Sequence, residues 1–345
     1  MTWMVYGANG YTGKLVARLA VQRGERPVLA GRNPEVRELA AELGLEHRIF
    51  GLDSASGGLD GIDAVAHCAG PFSATARPMV NACLTSKTHY LDITGEIAVF
   101  EEIFRRSDEA EAAGVVLLPG AGFDVVPSDC LAASLAEALP GATSLKLAFI
   151  AGGGFSPGTL KTTVEGMAAG GRVRRDGKLV TVPVGHSTVS AAFPSGTRGV
   201  VSLPWGDVAS AYRSTGIPNI TNYTAVGLPA GLVSRAQRFS APVMRTDVAQ
   251  RIGKKLVGLI AGPGDKRRAG SRAEFWGEAR DDSGRTATAT LVTPNSYDIT
   301  ADAVVRIATG IARVKPGSHT PATAFGAGFV RTLDGVTAGA VTVTS

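Results

Sequence analysis

Hydrophobic positions in the first third of the chain fall into short apolar runs separated by stretches with helical spacing. Thr2–Tyr6 is the first run. Leu15, Val16, Leu19 and Ala20 then mark one face of a helix over Lys14–Gln22. Strand-like runs follow at Pro27–Ala30, Glu46–Leu52, Ala64–Ala69, His89–Ile93 and Val115–Leu118. Helical patterns lie between them at Val36–Leu43, Pro78–Leu84 and Val99–Ala113. Strands that alternate with helices predict a parallel sheet covered on both faces.

Near Val126 the pattern changes. Leu145–Ile150, Leu179–Val184, Val200–Leu203, Ala273–Ala279 and Thr286–Val292 read as strands. Glu274, Trp276 and Glu278 alternate with Ala273, Phe275 and Ala279, and the turn Asp281-Asp282-Ser283-Gly284 leads into the next run. That is a hairpin of an antiparallel sheet with one solvated face. Helices are expected after Ser156-Pro157, where Ser suits the N-cap and Pro the first turn, and after Tyr297. Pro321–Leu333 is again helix-like. There is no internal repeat.

Composition narrows the class. The length of 345 residues suggests two domains. Gly and Pro number 44 and 18, below the roughly 25–30% of low-complexity chains. With 44% hydrophobic and 19% charged residues, disorder and a coiled coil are excluded as the main architecture. Three cysteines, at 68, 83 and 130, do not make a disulfide framework and fit a reducing cytoplasm. The first apolar run leads straight into Gly7, so no signal peptide is expected. The uncharged stretch Ser214–Ser234 contains Pro218, Asn219, Asn222 and Pro229 and is not expected to span a membrane.

The net charge of +5 is modest but uneven. Residues 235–268 hold nine Lys or Arg against two Asp, a net +7, which leaves −2 for the rest. A general nucleic-acid binder is not indicated. Val248, Ile252, Leu256 and Leu259 would share one helical face, with Arg251, Lys254 and Lys255 off it. The segment is therefore either a solvated helix face or a surface for an acidic partner, such as an acyl-carrier domain or an anionic membrane.

The densest local signal is Gly7-Ala8-Asn9-Gly10-Tyr11-Thr12-Gly13, between a strand and a helix. Gly7 permits the tight turn, Gly10 lets backbone approach a pyrophosphate, and Gly13 permits close helix–strand packing. The helix start offers free N–H groups to phosphate. The spacing is GxxGxxG, a variant of the usual dinucleotide fingerprint. An NAD site would carry an acid at the end of the second strand, but Arg32 stands there. A guanidinium can pair with a 2′-phosphate and stack on adenine, which favours NADP(H). Asp53 and Ser54, after the third strand, would flank the adenine. Ala69, Gly70, Pro71 and Phe72, after the fourth, would line the inner ribose. The expected fold class is thus α/β: a Rossmann-type parallel-sheet domain over 1–127, completed by 317–345, and a second α+β domain over 128–316 with a mostly antiparallel sheet.

Several motifs together resemble the saccharopine dehydrogenase-like oxidoreductases, in the branch called trans-acting enoyl reductases. They are Gly7–Gly13 with Ala30-Gly31-Arg32, Cys68-Ala69-Gly70-Pro71-Phe72, Ala82-Cys83-Leu84, Thr88–Glu96 and Gly120–Asp129. The resemblance is dense to about residue 135. It is sparser later, at Ser156–Thr159, Trp276–Arg280, Thr320-Pro321-Ala322 and Phe325-Gly326. It implies a Rossmann domain, a mixed second domain, NADP(H), and reduction of a C=C or C=N bond. Residues 73–78 depart from it, lacking the Tyr-Gly often found there.

A nicotinamide hydride needs an oriented acceptor and a proton source. Residues at the carboxyl ends of strands are the natural candidates, so Asp92, Glu96 and Asp124 are the expected catalytic acids, with Gly122 and Phe123 beside the cofactor. Glu96 equally suits dipole stabilisation of a helix start, and Asp124 a turn or cap. Ser128 and Asp129 fit the start of a helix, and Tyr90 fits packing in its strand. Lys161 and Glu165 are spaced as a helical ion pair; Lys161 alternatively meets an anionic substrate. Tyr223 and Tyr297 are unranked cleft candidates. No tyrosine has a lysine four residues on, and the five histidines and three cysteines lack metal-ligand spacing. No metal is expected. His67-Cys68 reads as a buried structural pair. Cys130, near a helix start, is the one thiol whose pKa could be lowered. The function classes left open are an enoyl reductase with a small-molecule or carrier-bound substrate, a C=N reductase, and a non-catalytic NADP sensor or scaffold. A homo-oligomer is allowed.

Overall fold

The computed structural model describes residues 1–151, 170–225 and 270–345. The described residues divide into two units: Met1–Val126 with Tyr297–Phe325, and Pro127–Ser296 with Gly326–Ser345.

The first unit is built on a parallel sheet. Its strands are β1 (Trp3–Tyr6), β2 (Val28–Gly31), β3 (His47–Ile49), β4 (Ala64–His67), β5 (His89–Asp92), β6 (Val116–Leu118) and the short Gly317–Ser318. The order is Gly317–Ser318, β6, β5, β4, β1, β2, β3. The chain leaves β1 for β2 on one side, while β4 returns on the other. That reversal opens a crevice at the carboxyl ends of β1 and β4. β1, β2 and β4 are buried along their whole length, as expected of strands covered on both faces.

The helices follow the apolar spacing. α1 (Tyr11–Gln22) buries Val16, Ala17 and Ala20. α2 (Val36–Leu43) buries Val36, Leu39 and Ala40 and ends at Gly44 in the left-handed region. α3 (Ala55–Gly58) is a single turn. α4 (Phe72–Ser86) begins six residues before the expected Pro78, which lies inside it. The charged pattern over 99–113 resolves into α5 (Ile97–Phe104) and α6 (Ser107–Ala113).

The second unit is a mixed sheet. α7 (Val126–Ala138) leads to β7 (Ser144–Ile150), then β8 (Gly171–Arg175), β9 (Lys178–Val182), β10 (Thr188–Phe193) and β11 (Gly196–Ser202). A helix α8 (Asp207–Thr215) and β12 (Asn219–Ala225) follow, then β13 (Arg272–Arg280) and β14 (Thr286–Pro294). β12 and β7 are parallel, whereas β10–β11, β7–β13 and β13–β14 are antiparallel. A side chain at Gly277 would collide with Leu135 at 2.7 Å, so α7 lies close on β13. β12 occupies part of the polar stretch Ser214–Ser234. The expected hairpin over 272–292 forms in register, Trp276 opposite Thr290. Trp276 is buried, packed with Phe193, Val200 and Tyr223 rather than facing solvent.

The C-terminal division differs from the one expected. Helix α9 (Ser296–Gly310) and the segment to Phe325 cluster with the first unit, and 326–345 with the second. Two contacts explain α9. Buried Asp302 accepts Arg23 Nη1 of the α1 end at 2.5 Å, and Tyr11 meets Tyr297 edge-on at 4.8 Å. Neither pairing across nearly three hundred residues is visible as a local pattern. The helix-like run Pro321–Leu333 breaks at Gly326, whose φ of +83° admits no continuous helix. The remainder pairs with β14 through Thr337–Ala338 and Thr342–Thr344.

Candidate functional site

The glycine loop follows β1 at the crevice. Gly7 N and Ala8 N donate to Ala30 O at 2.8 and 3.1 Å. Gly7 has φ +83°, and a methyl group there would meet Ala69 Cβ and N at 2.9 Å. At Gly13 an added methyl group would sit 2.3 Å from Gly7 O. Both positions therefore exclude a side chain by contact, not by propensity alone. Gly10 is different: it is exposed, and a side chain there would meet only Gly7 O within 4 Å. Helix α1 starts at this exposed backbone with no side-chain cap and no acid in its first turn. An uncapped helix start with an open glycine in front fits a dinucleotide pyrophosphate. Thr12 is part of the first turn. Asn9 donates to Glu35 at 3.2 Å, which ties the loop to the start of α2.

The other expected cofactor positions lie at the same end of the sheet. Arg32 is exposed directly after β2, and its charge reaches the Tyr6 phenol, opposing the rise that burial imposes on it. Asp53 and Ser54 are exposed on the turn after β3. Ala69, Gly70 and Pro71 leave β4, with Ala69 against Gly7. Gly122 and Phe123 follow β6. Phe123 N donates to Thr300 Oγ1 at 2.9 Å, and Gly122 lies against the same side chain. Thr300 has no motif around it and was not legible from sequence; Tyr297, its neighbour on α9, holds Tyr11.

The three expected acids divide into two roles. Asp92 is 1% exposed. Its Oδ1 accepts Thr94 N and Gly120 N, both at 2.9 Å, and its Oδ2 accepts the Tyr90 hydroxyl at 2.7 Å. Burial pushes this carboxyl up to about 6, against those three hydrogen bonds, which favour the ionised form. Glu96 accepts Phe72 N at 2.9 Å and Ser73 N at 2.8 Å, so it caps the start of α4. These two carboxylates hold the loops. Asp124 is the third. Its Oδ2 lies over Gly95, where a methyl group would meet it at 3.0 Å. The residue is partly exposed, and burial of its carboxyl pushes the pKa up to about 7.

Other candidates belong to the second unit or to residues outside those described. Tyr223, on β12 in the second unit, is 4% exposed. In the same unit Ser128 donates to Asp207 at 2.5 Å, and Asp129 accepts Ser214 at 2.8 Å. Cys130 is fully buried and its thiol is pushed up, so the lowered pKa considered from its helix position does not occur. Lys161, Glu165 and the basic segment 235–268 lie outside the described residues. Among the described residues no cluster of His, Cys, Asp or Glu could hold a metal ion, and no helix is long and apolar enough to cross a membrane.

Fold and loop define a dinucleotide-binding α/β protein. Residues 3–118 match the family model described as the saccharopine dehydrogenase NADP-binding domain. A trans-acting enoyl reductase of Mycobacterium leprae is 35% identical over 138 residues, 36% of this chain and 33% of that protein. A mitochondrial saccharopine dehydrogenase-like oxidoreductase of Arabidopsis thaliana is 29% identical over 147 residues, 36% of this chain and 32% of the relative. The chain thus spans about a third of the length of these relatives. Across 100% of both chains it shares the fold of saccharopine dehydrogenase (L-Glu forming) from Saccharomyces cerevisiae, with TM-score 0.64 and 13% identity. Residues 3–118 are thus similar to the saccharopine dehydrogenase NADP-binding domain, and the chain shares the saccharopine dehydrogenase fold.

Two outcomes are expected. Replacing Arg32 with Gln should weaken NADPH binding about tenfold or more, the loss of a charge-assisted phosphate contact, and leave NADH unchanged; fluorescence titration of the reduced dinucleotides reads the ratio. Asp92→Asn keeps two acceptor bonds and can reverse the Tyr90 bond, while it removes a buried charge. It should unfold within about 1 kcal/mol of the unaltered chain, whereas Asp92→Ala leaves two backbone N–H groups unmatched and should cost about 2–4 kcal/mol in urea unfolding.

Proposed function

We propose that this chain is an NADPH-dependent reductase that adds hydride to a C=C bond of an enoyl-type substrate, free or carrier-bound. The single observation that carries the reading is Asp124, a carboxyl raised by burial to near neutrality on the loop after β6. Bound NADPH supplies the hydride. Reduction of an enoyl group places hydride on one carbon and requires a proton on the other. An acid with a pKa of about 7 is suited to that donation at neutral pH. Glu96 fixes the Phe72 end of the neighbouring turn, and Asp92 fixes the loop that carries Asp124. The trans-acting enoyl reductase relatives support the acceptor class. A basic segment at 235–268 fits an acidic carrier. The fold shared with saccharopine dehydrogenase supports C=N reduction as the second reading.

The test uses NADPH deuterated at nicotinamide C4, as each stereoisomer, with the purified chain and a metabolite extract. Deuterium on a carbon of a former alkene, located by mass spectrometry, is the expected result. Deuterium on a carbon bearing nitrogen assigns imine reduction instead. Tight NADPH binding with no transfer of label assigns a sensor or scaffold.

Asp124 must be protonated to donate, so its raised pKa sets the window. The rate should be level below about pH 7 and fall toward tenfold per unit above it. Asp124→Asn should lower kcat about 10²–10⁴-fold and abolish that fall. An unchanged pH–rate profile in the variant would remove Asp124 from the reaction.

A further inference from the structure

His67, the last residue of β4, has no exposed surface. Its ring stacks on Tyr6 at 5.5 Å, meets Phe72 edge-on at 5.5 Å, and lies 6.0 Å from Tyr90. Its Nε2 is 3.0 Å from Thr75 Oγ1. Its Nδ1 is buried and has no hydrogen-bond partner. A buried polar atom left unmatched costs stability, and a residue that carries one needs a compensating reason. An apolar side chain would fill this place in the strand without that cost.

The tautomer follows from the neighbours. Thr75 Oγ1 lies 2.7 Å from Ala69 O and 3.0 Å from Pro71 O. Carbonyl oxygens only accept, so the single hydroxyl proton must point to them. Without it, two partially negative oxygens would face each other at hydrogen-bond distance. The hydroxyl then offers only lone pairs to the imidazole. Nε2 therefore carries the proton and Nδ1 carries none. Burial holds the ring far below its ordinary pKa, at about 3, so it stays neutral and does not act as an acid.

The Thr75 hydroxyl thus joins His67 to both carbonyls of the segment that leaves β4. That segment lies directly on the glycine loop, because Ala69 touches Gly7. We propose that His67 is a positioning residue, which through Thr75 fixes the Ala69–Pro71 segment against the glycine loop and so sets the width of the dinucleotide crevice. This rests on the reading that the segment borders the bound dinucleotide. Thr75 falls within residues 73–78, where the chain departs from its family's usual pattern.

The experiment combines NMR with cofactor titration. Imidazole ¹⁵N spectra should show His67 as the Nε2–H tautomer at neutral pH; an Nδ1–H tautomer or a cation overturns the proposal. Thr75→Val, which keeps the shape and removes the hydroxyl, should weaken NADPH binding about five- to tenfold, the equivalent of one hydrogen bond. Thr75→Ser should restore it to within about twofold of the unaltered chain. His67→Leu should unfold no more easily, since it removes the unmatched Nδ1, yet bind NADPH as weakly as Thr75→Val. A purely structural histidine would leave binding unmoved. Affinity unchanged in Thr75→Val, with Ala69 and Gly70 amide signals that respond to NADPH, overturns the positioning role alone. Silence of those amides on NADPH addition overturns the placement of the dinucleotide and the proposal with it.

Discussion

One buried carboxylate organises the carboxyl end of the parallel sheet. Asp92 accepts hydrogen bonds from Tyr90 within its own strand, from Thr94 in the loop that follows, and from Gly120 after β6. Its backbone oxygen takes a further bond from Ala121 N at 2.6 Å. Two strand ends are thereby held to one side chain. From Thr94 the chain reaches Glu96, whose N–H donates to Thr94 Oγ1 at 3.0 Å, and Glu96 caps α4. From Gly120 it reaches Asp124 three residues past Ala121. Removal of the acceptor at Asp92 would leave two backbone donors, Thr94 N and Gly120 N, unmatched in a buried place.

The glycine loop is held from the other side by contact. Gly7 and Ala8 each donate an N–H to Ala30 O, and a methyl group at Gly7 would collide with Ala69. A side chain at Gly13 would meet only backbone, and one at Gly7 would meet backbone and the Ala69 methyl; backbone yields at greater cost. Gly10, by contrast, is exposed, and a side chain there would meet only Gly7 O, at 3.2 Å. The loop is therefore tight where it meets the protein and bare where a phosphate would lie. Helix α9 completes this half from a distant part of the chain, as Thr300 receives Phe123 N and Tyr297 receives Tyr11.

Much of this was legible in the sequence because the signals are local. The alternation of runs and helical faces requires only short spacings, and α2 spans Val36–Leu43 as its periodicity predicts. Motif glycines carry their own steric logic, and an arginine in place of an acid after β2 is readable at one position. What could not be read depends on partners far along the chain. Asp302 could not be joined to Arg23 by any spacing, so α9 was expected in the second unit. Asp92 and Glu96 looked equivalent to Asp124, since all three follow strands. Only the structure shows Glu96 accepting the Phe72 and Ser73 N–H groups and Asp92 accepting three donors. β12 hid in a polar stretch because its burial comes from sheet neighbours, with Asn222 and Tyr223 both buried.

The difference among the three acids has a physical origin: burial favours the protonated carboxyl, and hydrogen-bond donors favour the ionised one. Glu96 faces backbone N–H groups at a helix start, which stabilise its charge. Asp92 is buried, but its three donors offset much of that burial, and its carboxyl rises only to about 6. For Asp124, desolvation is the cause of the shift, and it rises to about 7. Of the two carboxyls that burial raises, Asp124, on the loop beside Gly95, is therefore pushed higher than Asp92. Protonation of Asp92 would have to displace the Tyr90 hydroxyl proton, and protonation of Glu96 would weaken the cap on α4. Hydrogen bonds thus tie Asp92 and Glu96 to the loops they hold, while burial sets Asp124 near neutrality.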